Sequence, residues 1–426
     1  MVWVKDNLGN RLKVISGYAF KSLDFLDIKE KNIPVIKIKN IKNGFVDIEN
    51  DIQYVSNEKI NIDNKFKVFN GDILISLTGS QITQPNSVVG RIAKCYFNDD
   101  QIALLNQRAG KFIIDKEKLN KDFLFYLLSN DKYKQKLALM GHGAANQANI
   151  SPSQVESLEV YLPDKVEEQQ KIAKILSNYD DLIENNNKRI KILEEMAQKI
   201  YKEWFVDFKY PGHETATFKD TEIGKIPSDW EITKVETYYN TSSGGTPSRK
   251  EPSYYDKGTI NWVKTGELKN TFIIDTEEKI TDLAIKKSSA KLFVENTIVL
   301  AMYCGMGDIS IMSKPMATNQ ACCVFIPKYD YLDYPFTYLF FNNITKEMTN
   351  ISFGAAQQNL SQEVIKAYIV KFPNKKTIVD FSYKVKPIFE QIKNLLFRNN
   401  TLKQTRDLLL PRLMSGEINV ENLEIA

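Results

Sequence analysis

The segment "VEEQQKIAKILSNYDDLIENNNKRIKILEEMAQKIYKEWF" (residues 166–205) contains neither glycine nor proline. A helix of about 40 residues would run roughly 60 Å, which is longer than a small globular domain needs. Its apolar residues recur at spacings of three and four, which is typical of a coiled-coil seam. The predicted seam consists of Ile183, Asn186, Ile190, Leu193, Ala197, Ile200 and Trp204.

A second segment of the same kind lies near the C-terminus. Its predicted seam consists of Val385, Ile388, Ile392, Leu395, Asn399, Leu402 and Leu409. Each helix could pack on its own globular domain, but two long seams in one chain most economically pack on each other. We therefore predict an antiparallel coiled coil, in which pairing of Asn186 with Asn399 could fix the register. Pro387 is expected to begin or kink the second helix.

Similar amide-rich phrases precede the two helices, "GAANQANIS" (143–151) and "GAAQQNLS" (354–361), about 210 residues apart. The similarity extends towards the N-terminus, and the number of residues that separates matched positions increases in that direction. Asn106-Gln107 matches Asn319-Gln320 at 213 residues, "DILI" (72–75) matches "TIVL" (297–300) at 225, and Ser16-Gly17 matches Ser243-Gly244 at 227. Such a drift indicates two colinear copies separated by a few insertions and deletions.

The predicted architecture is α+β, with two tandem globular domains and two long helices. The boundaries are residues 1–164 and 207–374 for the domains, 165–206 and 375–418 for the helices, and 419–426 for a tail. Antiparallel packing of two equivalent helices implies a pseudo-twofold axis between the copies. Strands are predicted at "VIKIKNI" (35–41), "GDILISL" (71–77) and "TIVLAMY" (297–303), and one helix at "DFLFYLLSNDKYKQKLALM" (122–140).

Composition disfavours several classes of protein. No apolar run is long enough to cross a bilayer and no signal peptide is apparent, so we expect a soluble cytoplasmic protein without a membrane partner. Two histidines and four cysteines without CxxC spacing make a metal site improbable. The chain has no Walker A loop and no Pro-Pro dipeptide, which disfavours an ATPase or an adenine-amino methyltransferase. We expect no catalytic residues, and a net charge of +4 permits a nucleic-acid partner without requiring one.

The loops are rich in amides and hydroxyls, which can hydrogen-bond base edges. Lysine and arginine are expected to bind phosphates, which position a protein on DNA, while base contacts specify the sequence. The candidate DNA-binding residues are Lys37, Lys39, Thr78, Ser80, Gln81, Gln84, His142, Asn146, Gln147, Asn149, Thr246, Ser248, Arg249, Lys264, Tyr303, Gln357, Gln358 and Asn359. Any one of these amides could instead serve a turn or a cap. Ser151 and Ser361 fit helix N-caps, and Asn106-Gln107 and Asn319-Gln320 could be buried structural amides.

With these features in place, the chain resembles the specificity subunit of Type I restriction–modification systems. The resemblance covers essentially the whole chain. It rests on "NGDILIS" (70–76), Asn106-Gln107, "NISPSQVESLEVYLP" (149–163) with "EEQQKIAKIL" (167–176), "KEWFVDFKYPG" (202–212) and "EIGKIPSDWE" (222–231). The second copy departs from the pattern, since "PNKKTIVDF" (373–381) replaces the "EQxxIA" start of its helix.

The resemblance implies two target-recognition domains held apart by the coiled coil, each reading half of a split DNA sequence. The helices would measure the unread gap and dock methyltransferase subunits, expected to be two, with restriction and translocase subunits joining through the complex. S-adenosylmethionine, ATP and Mg²⁺ would belong to those partners, and this chain would bind no cofactor. The alternatives are a Type IIB-like specificity subunit, a coiled-coil protein-binding scaffold, or an enzyme with an unrecognised site.

Overall fold

The computed structural model describes residues 1–424 except 28–31, 81–88, 99, 143–147, 304 and 354–359. The chain forms two compact units. The first comprises Met1–Asp181 and Lys403–Ala426, and the second comprises Leu182–Leu402. Each unit combines helices and sheets, as the α+β prediction requires.

The strands of the first unit form two main sheets and two strand pairs among the described residues. They are β1 (Trp3–Asn7), β2 (Leu12–Ser16), β3 (Asn32–Ile36), β4 (Gly44–Phe45), β5 (Gln53–Ser56), β6 (Lys67–Val68), β7 (Ile73–Ser76), β8 (Thr78–Gly79), β9 (Ile92–Lys94), β10 (Ala103–Leu105), β11 (Ala109–Ile114), β12 (Ala148–Asn149) and β13 (Glu159–Pro163). The sheet orders are β2-β11-β7-β9-β4 and β5-β3-β10-β6, and the pairs are β1-β13 and β8-β12. The helices are α1 (Lys121–Ser129), α2 (Asp131–Leu139), α3 (Pro152–Glu156) and α4 (Val166–Tyr201), of which α4 continues into the second unit.

The second unit repeats this topology. Its strands are β14 (Phe218–Lys219), β15 (Ile226–Pro227), β16 (Glu231–Lys234), β17 (Tyr239–Ser242), β18 (Ile260–Val263), β19 (Phe272–Ile273), β20 (Lys279–Ile280), β21 (Leu292–Phe293), β22 (Ile298–Ala301), β23 (Ile309–Met312), β24 (Met316–Thr318), β25 (Cys322–Pro327) and β26 (Ile369–Phe372). The sheet orders are β17-β25-β22-β23-β19 and β20-β18-β24-β21, with β16 paired to β26. The helices are α5 (Val235–Tyr238), α6 (Asp282–Lys287), α7 (Tyr334–Phe353), α8 (Gln362–Ala367) and α9 (Lys375–Met414). Strand for strand, both main sheets have the same order as in the first unit, which confirms the internal repeat.

Steric necessity explains one of the repeated glycines. A Cβ on Gly17 would lie 2.2 Å from the carbonyl oxygen of Leu105, and a Cβ on Gly244 would lie 2.0 Å from that of Thr318. Both distances are far inside van der Waals contact. The two chain segments can approach this closely only where the side chain is absent.

The repeated asparagines serve the same turn in both units. The backbone N–H of Asn106 donates to Ile36 O, and that of Asn319 donates to Val263 O, each at 3.0 Å. Each side-chain Oδ1 accepts from the backbone N–H two residues later, at 3.3 Å in the first unit and 3.1 Å in the second. Both side chains thus stabilise a turn and are structural amides, but they are half-buried and not buried, and Gln107 and Gln320 beside them are exposed.

Within the second unit, α4 and α9 run antiparallel. Asn186 Nδ2 donates to Asn399 Oδ1 at 2.8 Å, and Asn399 Nδ2 donates to Asn187 Oδ1 at 2.8 Å. Further along, the rings of Tyr201 and Phe381 lie 5.9 Å apart. The predicted seam residues are all buried or half-buried. The seam also includes fully buried residues that the sequence pattern missed, namely Ile378, Phe381 and Phe389.

Within the first unit, the beginning of α4 and the end of α9 share a core. Ile172, Ala173 and Leu176 belong to the same buried cluster as Leu413 and Met414, and Leu409 packs against it. Asp180 on α4 accepts hydrogen bonds from Arg406 on α9 and from the Tyr126 hydroxyl on α1. The order of these contacts along the two helices is again antiparallel.

α9 begins at Lys375, as the predicted boundary of the C-terminal helix has it, and it runs through Pro387, so this proline does not begin the helix. The carbonyl that Pro387 leaves without a helical donor belongs to Tyr383, whose side chain is 85% exposed, so water can hydrate that face. The single helix expected at 122–140 is two helices, because Asn130 caps α2 by accepting from Lys132 N at 3.0 Å. The strand expected at 35–41 stops at Ile36, where Lys37 N-caps a short 3₁₀ turn (Ile38–Asn40).

The long helices also differ slightly from their predicted extent. α4 ends at Tyr201 and passes into a π-helical turn over Lys202–Val206, and α9 ends at Met414 rather than at 418. Among the helices of the described residues, none is long and apolar enough to cross a bilayer.

Candidate nucleic-acid interface

In the first unit, a two-stranded ladder joins the ends of two loops that are predicted to read DNA bases. β8 pairs with β12, and the backbones of His142 and Asn149 exchange two hydrogen bonds of 2.9 Å. Thr78 is 9% exposed, and its hydroxyl donates to Asn149 Oδ1 at 2.8 Å. Thr78 therefore helps to close the ladder, whereas His142 is exposed and Ser80 half-buried beside it. Residues Gln81, Gln84, Asn146 and Gln147, on the two loops themselves, lie outside the described residues.

The second unit tethers its amide-rich loop at the equivalent point. Ile150 N donates to Leu77 O at 2.8 Å, and Leu360 N donates to Met302 O at 3.2 Å. Tyr303 follows Met302 and occupies the place of Thr78, and it is 46% exposed. Gln357, Gln358 and Asn359 lie outside the described residues.

The serine that ends each repeated phrase starts the next helix. Ser151 accepts from Gln154 N at 3.2 Å at the start of α3, and Ser361 accepts from Val364 N at 3.3 Å at the start of α8. These side chains are N-caps, as the alternative interpretation of the sequence held. The repeated phrase therefore combines a backbone tether and a helix start with the loop between strand and helix.

The ammonium group of Lys37 in the first unit contacts an aromatic ring and an amide. Its Nζ lies 3.3 Å from the centroid of the Phe25 ring and donates to Gln53 Oε1. Burial, and then the neighbouring charge of Lys39, lower the pKa of Lys37. No carboxylate of the described residues forms an ion pair with Lys37, and Lys39 reaches Asp51 only at 4.0 Å. Phosphate oxygens would therefore meet little competition at Lys37.

The corresponding cations of the second unit are already paired. Lys264 Nζ lies 2.8 Å from Glu278 Oε1 and 3.2 Å from Glu277 Oε2, and Arg249 Nη1 lies 2.5 Å from Glu278 Oε2. The hydrogen bonds from Arg249 and Lys264 lower the pKa of Glu278 to about 2. The same bond to Glu278 raises the pKa of Lys264. A phosphate would have to displace a carboxylate here.

The two remaining candidates of this unit lie next to Arg249. Thr246 is exposed, and its hydroxyl donates to Gln320 Oε1 at 2.6 Å. Ser248 is exposed and accepts from Lys250 N at 3.3 Å. Arg249 lies with its guanidinium carbon 4.4 Å from the Tyr255 ring centroid. This loop thus places hydroxyls, a guanidinium and an aromatic face on one surface.

Sequence reasoning missed the partners of these cations. Gln53 lies 16 residues beyond Lys37, and Glu278 lies 14 residues beyond Lys264. Strand pairing brings each pair together, β3 with β5 and β18 with β20. The adjacent carboxylates of Glu277 and Glu278 were the one available signal. Within the described ranges, no cluster of histidine, cysteine or acidic residues could hold a metal ion.

Two copies of one α+β domain, with polar loops tethered at equivalent strand ends and long antiparallel helices, define a tandem recognition protein. The chain belongs to the family described as the Type I restriction modification DNA specificity domain, whose profile matches residues 3–195 and 227–404. This match confirms the resemblance found in the sequence motifs.

Named relatives agree with that assignment. The chain is 29% identical over 315 residues to the Type I restriction enzyme MjaIX specificity subunit of Methanocaldococcus jannaschii, covering 73% of this chain and 72% of the relative. It is 23% identical over 452 residues to the EcoBI specificity subunit of Escherichia coli, covering 98% and 87% of the two chains. The crystal structure of the Type I restriction–modification S subunit from M. genitalium superposes with a TM-score of 0.58 at 15% identity, covering 97% of this chain and 96% of that one. The last comparison concerns the fold alone.

Proposed function

We propose that this chain is the DNA-specificity subunit of a Type I restriction–modification complex and has no catalytic activity of its own. Each unit binds one half of a bipartite duplex target. The amide- and hydroxyl-rich loops at 78–87, 141–151, 241–250 and 353–361 read bases, while Lys37, Lys264 and Arg249 contact phosphates. Target recognition by this chain then directs methylation and cleavage by partner subunits.

The observation that carries this proposal is the duplication of one topology with polar loops at the same place. A bipartite DNA target requires two recognition domains of similar fold whose loops carry different side chains. The tethers Ile150–Leu77 and Leu360–Met302 hold the loop ends in place while leaving the loop sequences free to differ. The family match to both copies supports duplex DNA as the ligand.

We further propose that α4 and α9 set the unread gap and dock two methyltransferase subunits. Their pairing along most of 36 and 40 residues makes them suitable as a spacer. The outer faces of these helices expose apolar side chains, among them Met196 and Leu408, which another helical subunit could cover. S-adenosylmethionine, ATP and Mg²⁺ would be bound by the partner subunits.

The test is a map of methylated adenines in DNA from cells that express this chain with its neighbouring methyltransferase subunit. We expect a gapped, asymmetric motif with one modified adenine in each half. A continuous motif would contradict the two-reader arrangement. Methylation that persists without this chain would refute the specificity role and favour the scaffold alternative. Cutting on both sides of the motif by the full complex would identify the Type IIB-like alternative.

A further inference from the structure

The second unit holds two candidate phosphate-binding cations in a closed cluster around Glu278. The two carboxylate oxygens of Glu278 take different partners, Arg249 at 2.5 Å and Lys264 at 2.8 Å. Glu277 adds a contact of 3.2 Å to Lys264. Two cations and two carboxylates leave this cluster formally neutral.

The first unit has a neutral side chain at the same structural position. Val35 on β3 lies opposite Gln53, and the backbone N–H of Trp262 on β18 donates to Glu278 O at 3.2 Å. Trp262 follows Val35 by the 227 residues that relate the two copies in this region. Gln53 and Glu278 are therefore counterparts, and each bonds the lysine that N-caps the adjacent 3₁₀ turn.

A carboxylate that accepts charge-assisted hydrogen bonds from an arginine and a lysine presents the same chemistry as a DNA phosphate. We propose that Glu278 occupies Arg249 and Lys264 as an internal substitute for a backbone phosphate. The second unit then gains less affinity from phosphates than the first, and it depends more on base contacts. This inference rests on the proposed DNA-recognition function and assigns it an asymmetry between the two halves.

The charge of Glu278 is stable under ordinary conditions. Arg249 and then Lys264 hold the pKa of this carboxyl near 2, so it remains ionised far below neutral pH. The substitute therefore acts as a constant competitor. Only a displacing anion, such as the phosphates of a bound duplex, would free the two cations.

The experiment measures binding of the full chain to a mixed-sequence duplex that lacks the target, because non-specific binding is almost entirely electrostatic. Glu278→Gln removes the carboxylate partner of Arg249 and leaves Lys264 with Glu277 alone, and Gln53 shows that this position accepts a glutamine hydrogen-bonded to the lysine. Each new phosphate contact adds about 0.9 to the slope of log K against log salt. We expect a slope steeper by about 1 to 2 units. The affinity gain over wild type should shrink about four- to sixteenfold between 50 and 200 mM salt.

Two further variants separate this effect from a general change in charge. Glu222→Gln removes the same charge from an exposed residue that forms no ion pair with the described residues. Gln53→Glu installs the substitute in the first unit and should flatten the slope by about 1 unit. Equal slopes for Glu278→Gln and Glu222→Gln would overturn the inference, as would a Gln53→Glu protein with the wild-type slope.

Failure of this inference is distinguishable from failure of the proposed function. If the wild-type chain directs methylation to a gapped motif and Glu278→Gln retains the wild-type salt slope, only the role of Glu278 is refuted. If the wild-type chain directs no methylation, the specificity role itself is refuted.

Discussion

The asparagine pair between α4 and α9 offers a sharp test of how the helices are held in register. Asn186 and Asn399 are each 4% exposed and share a hydrogen bond of 2.8 Å. Asn186→Leu removes the donor and leaves Asn399 Oδ1 buried without its partner. An unsatisfied buried polar group costs about 1–3 kcal/mol. We expect the local opening free energy of the helix pair to fall by that amount.

Replacing both partners should reverse the loss. In the Asn186→Leu/Asn399→Leu protein the seam is apolar on both sides, and such paired replacement is nearly neutral or stabilising. Asn187, which accepts from Asn399, is exposed and can turn to water. The two substitutions should therefore couple by about 1–3 kcal/mol, although the register would lose its polar determinant.

Amide hydrogen exchange over residues 183–201 and 385–402 measures this local opening directly. It avoids treating a chain of two units as a single cooperative transition. Asn185→Leu, on an exposed residue one position away, serves as the control and should change the opening free energy by less than about 0.5 kcal/mol. Additive effects of the two seam substitutions would refute the reasoning, because they would show that the amides do not depend on each other.

Three other predictions concern the candidate DNA-binding residues, a repeated glycine and the Glu278 cluster. Lys37→Met should weaken duplex binding across sequences and reduce the slope of log K against log salt by about 0.9, which anisotropy titrations measure. Gln81→Ala should instead relax recognition of one half of the target, which a methylation map detects. Identical behaviour of the two variants would contradict the division into phosphate and base contacts. Gly244→Ala places a Cβ 2.0 Å from a backbone oxygen and should lower the free energy of unfolding, measured in denaturant, by about 1–3 kcal/mol. Gly266→Ala is the control, because a Cβ at that position would have no atom within 4 Å. The pKa of Glu278 is lowered from 4.5 to about 2, so the stability that this carboxylate contributes is present above pH 4.5 and is lost as the pH falls towards 2. The Tm of Glu278→Gln should therefore decline less than that of the wild type between pH 4.5 and pH 2. An equal decline in Tm would contradict the ion-pair cluster.

Much of the fold was readable from the sequence because repetition and periodicity are local properties. The drift in separation between matched residues predicted two colinear copies, and the sheets of both units have the same strand order. The stripe with one asparagine in each helix predicted a seam, and both asparagines lie in it. The single helix expected at 122–140 was wrong, because Asn130 caps a second helix there. Pro387 does not begin α9, because helix formation upstream is stabilised by buried Ile378, Phe381 and Val385.

The candidate site was less predictable, because its electrostatics depend on residues that are distant in the chain. The amide-rich loops were identifiable by composition, yet Thr78 was indistinguishable from its neighbours until β8 paired with β12 and bonded it to Asn149. Lys37 and Lys264 occupy matched positions in the two copies. They differ in charge balance because the pairing of β3 with β5 places Gln53 beside Lys37, whereas the pairing of β18 with β20 places Glu278 beside Lys264.

The sequence by itself therefore determined the duplication, the long helices with their seam, and the family, since each is written in spacing and short motifs along the chain. The tertiary structure alone decided how the polar groups of the described candidate residues are bonded. The physical reason is that the free energy of a charge or an amide depends on the groups within a few ångströms of it. In this protein those groups are brought there by strand pairing across 14 to 71 residues and not by sequence proximity.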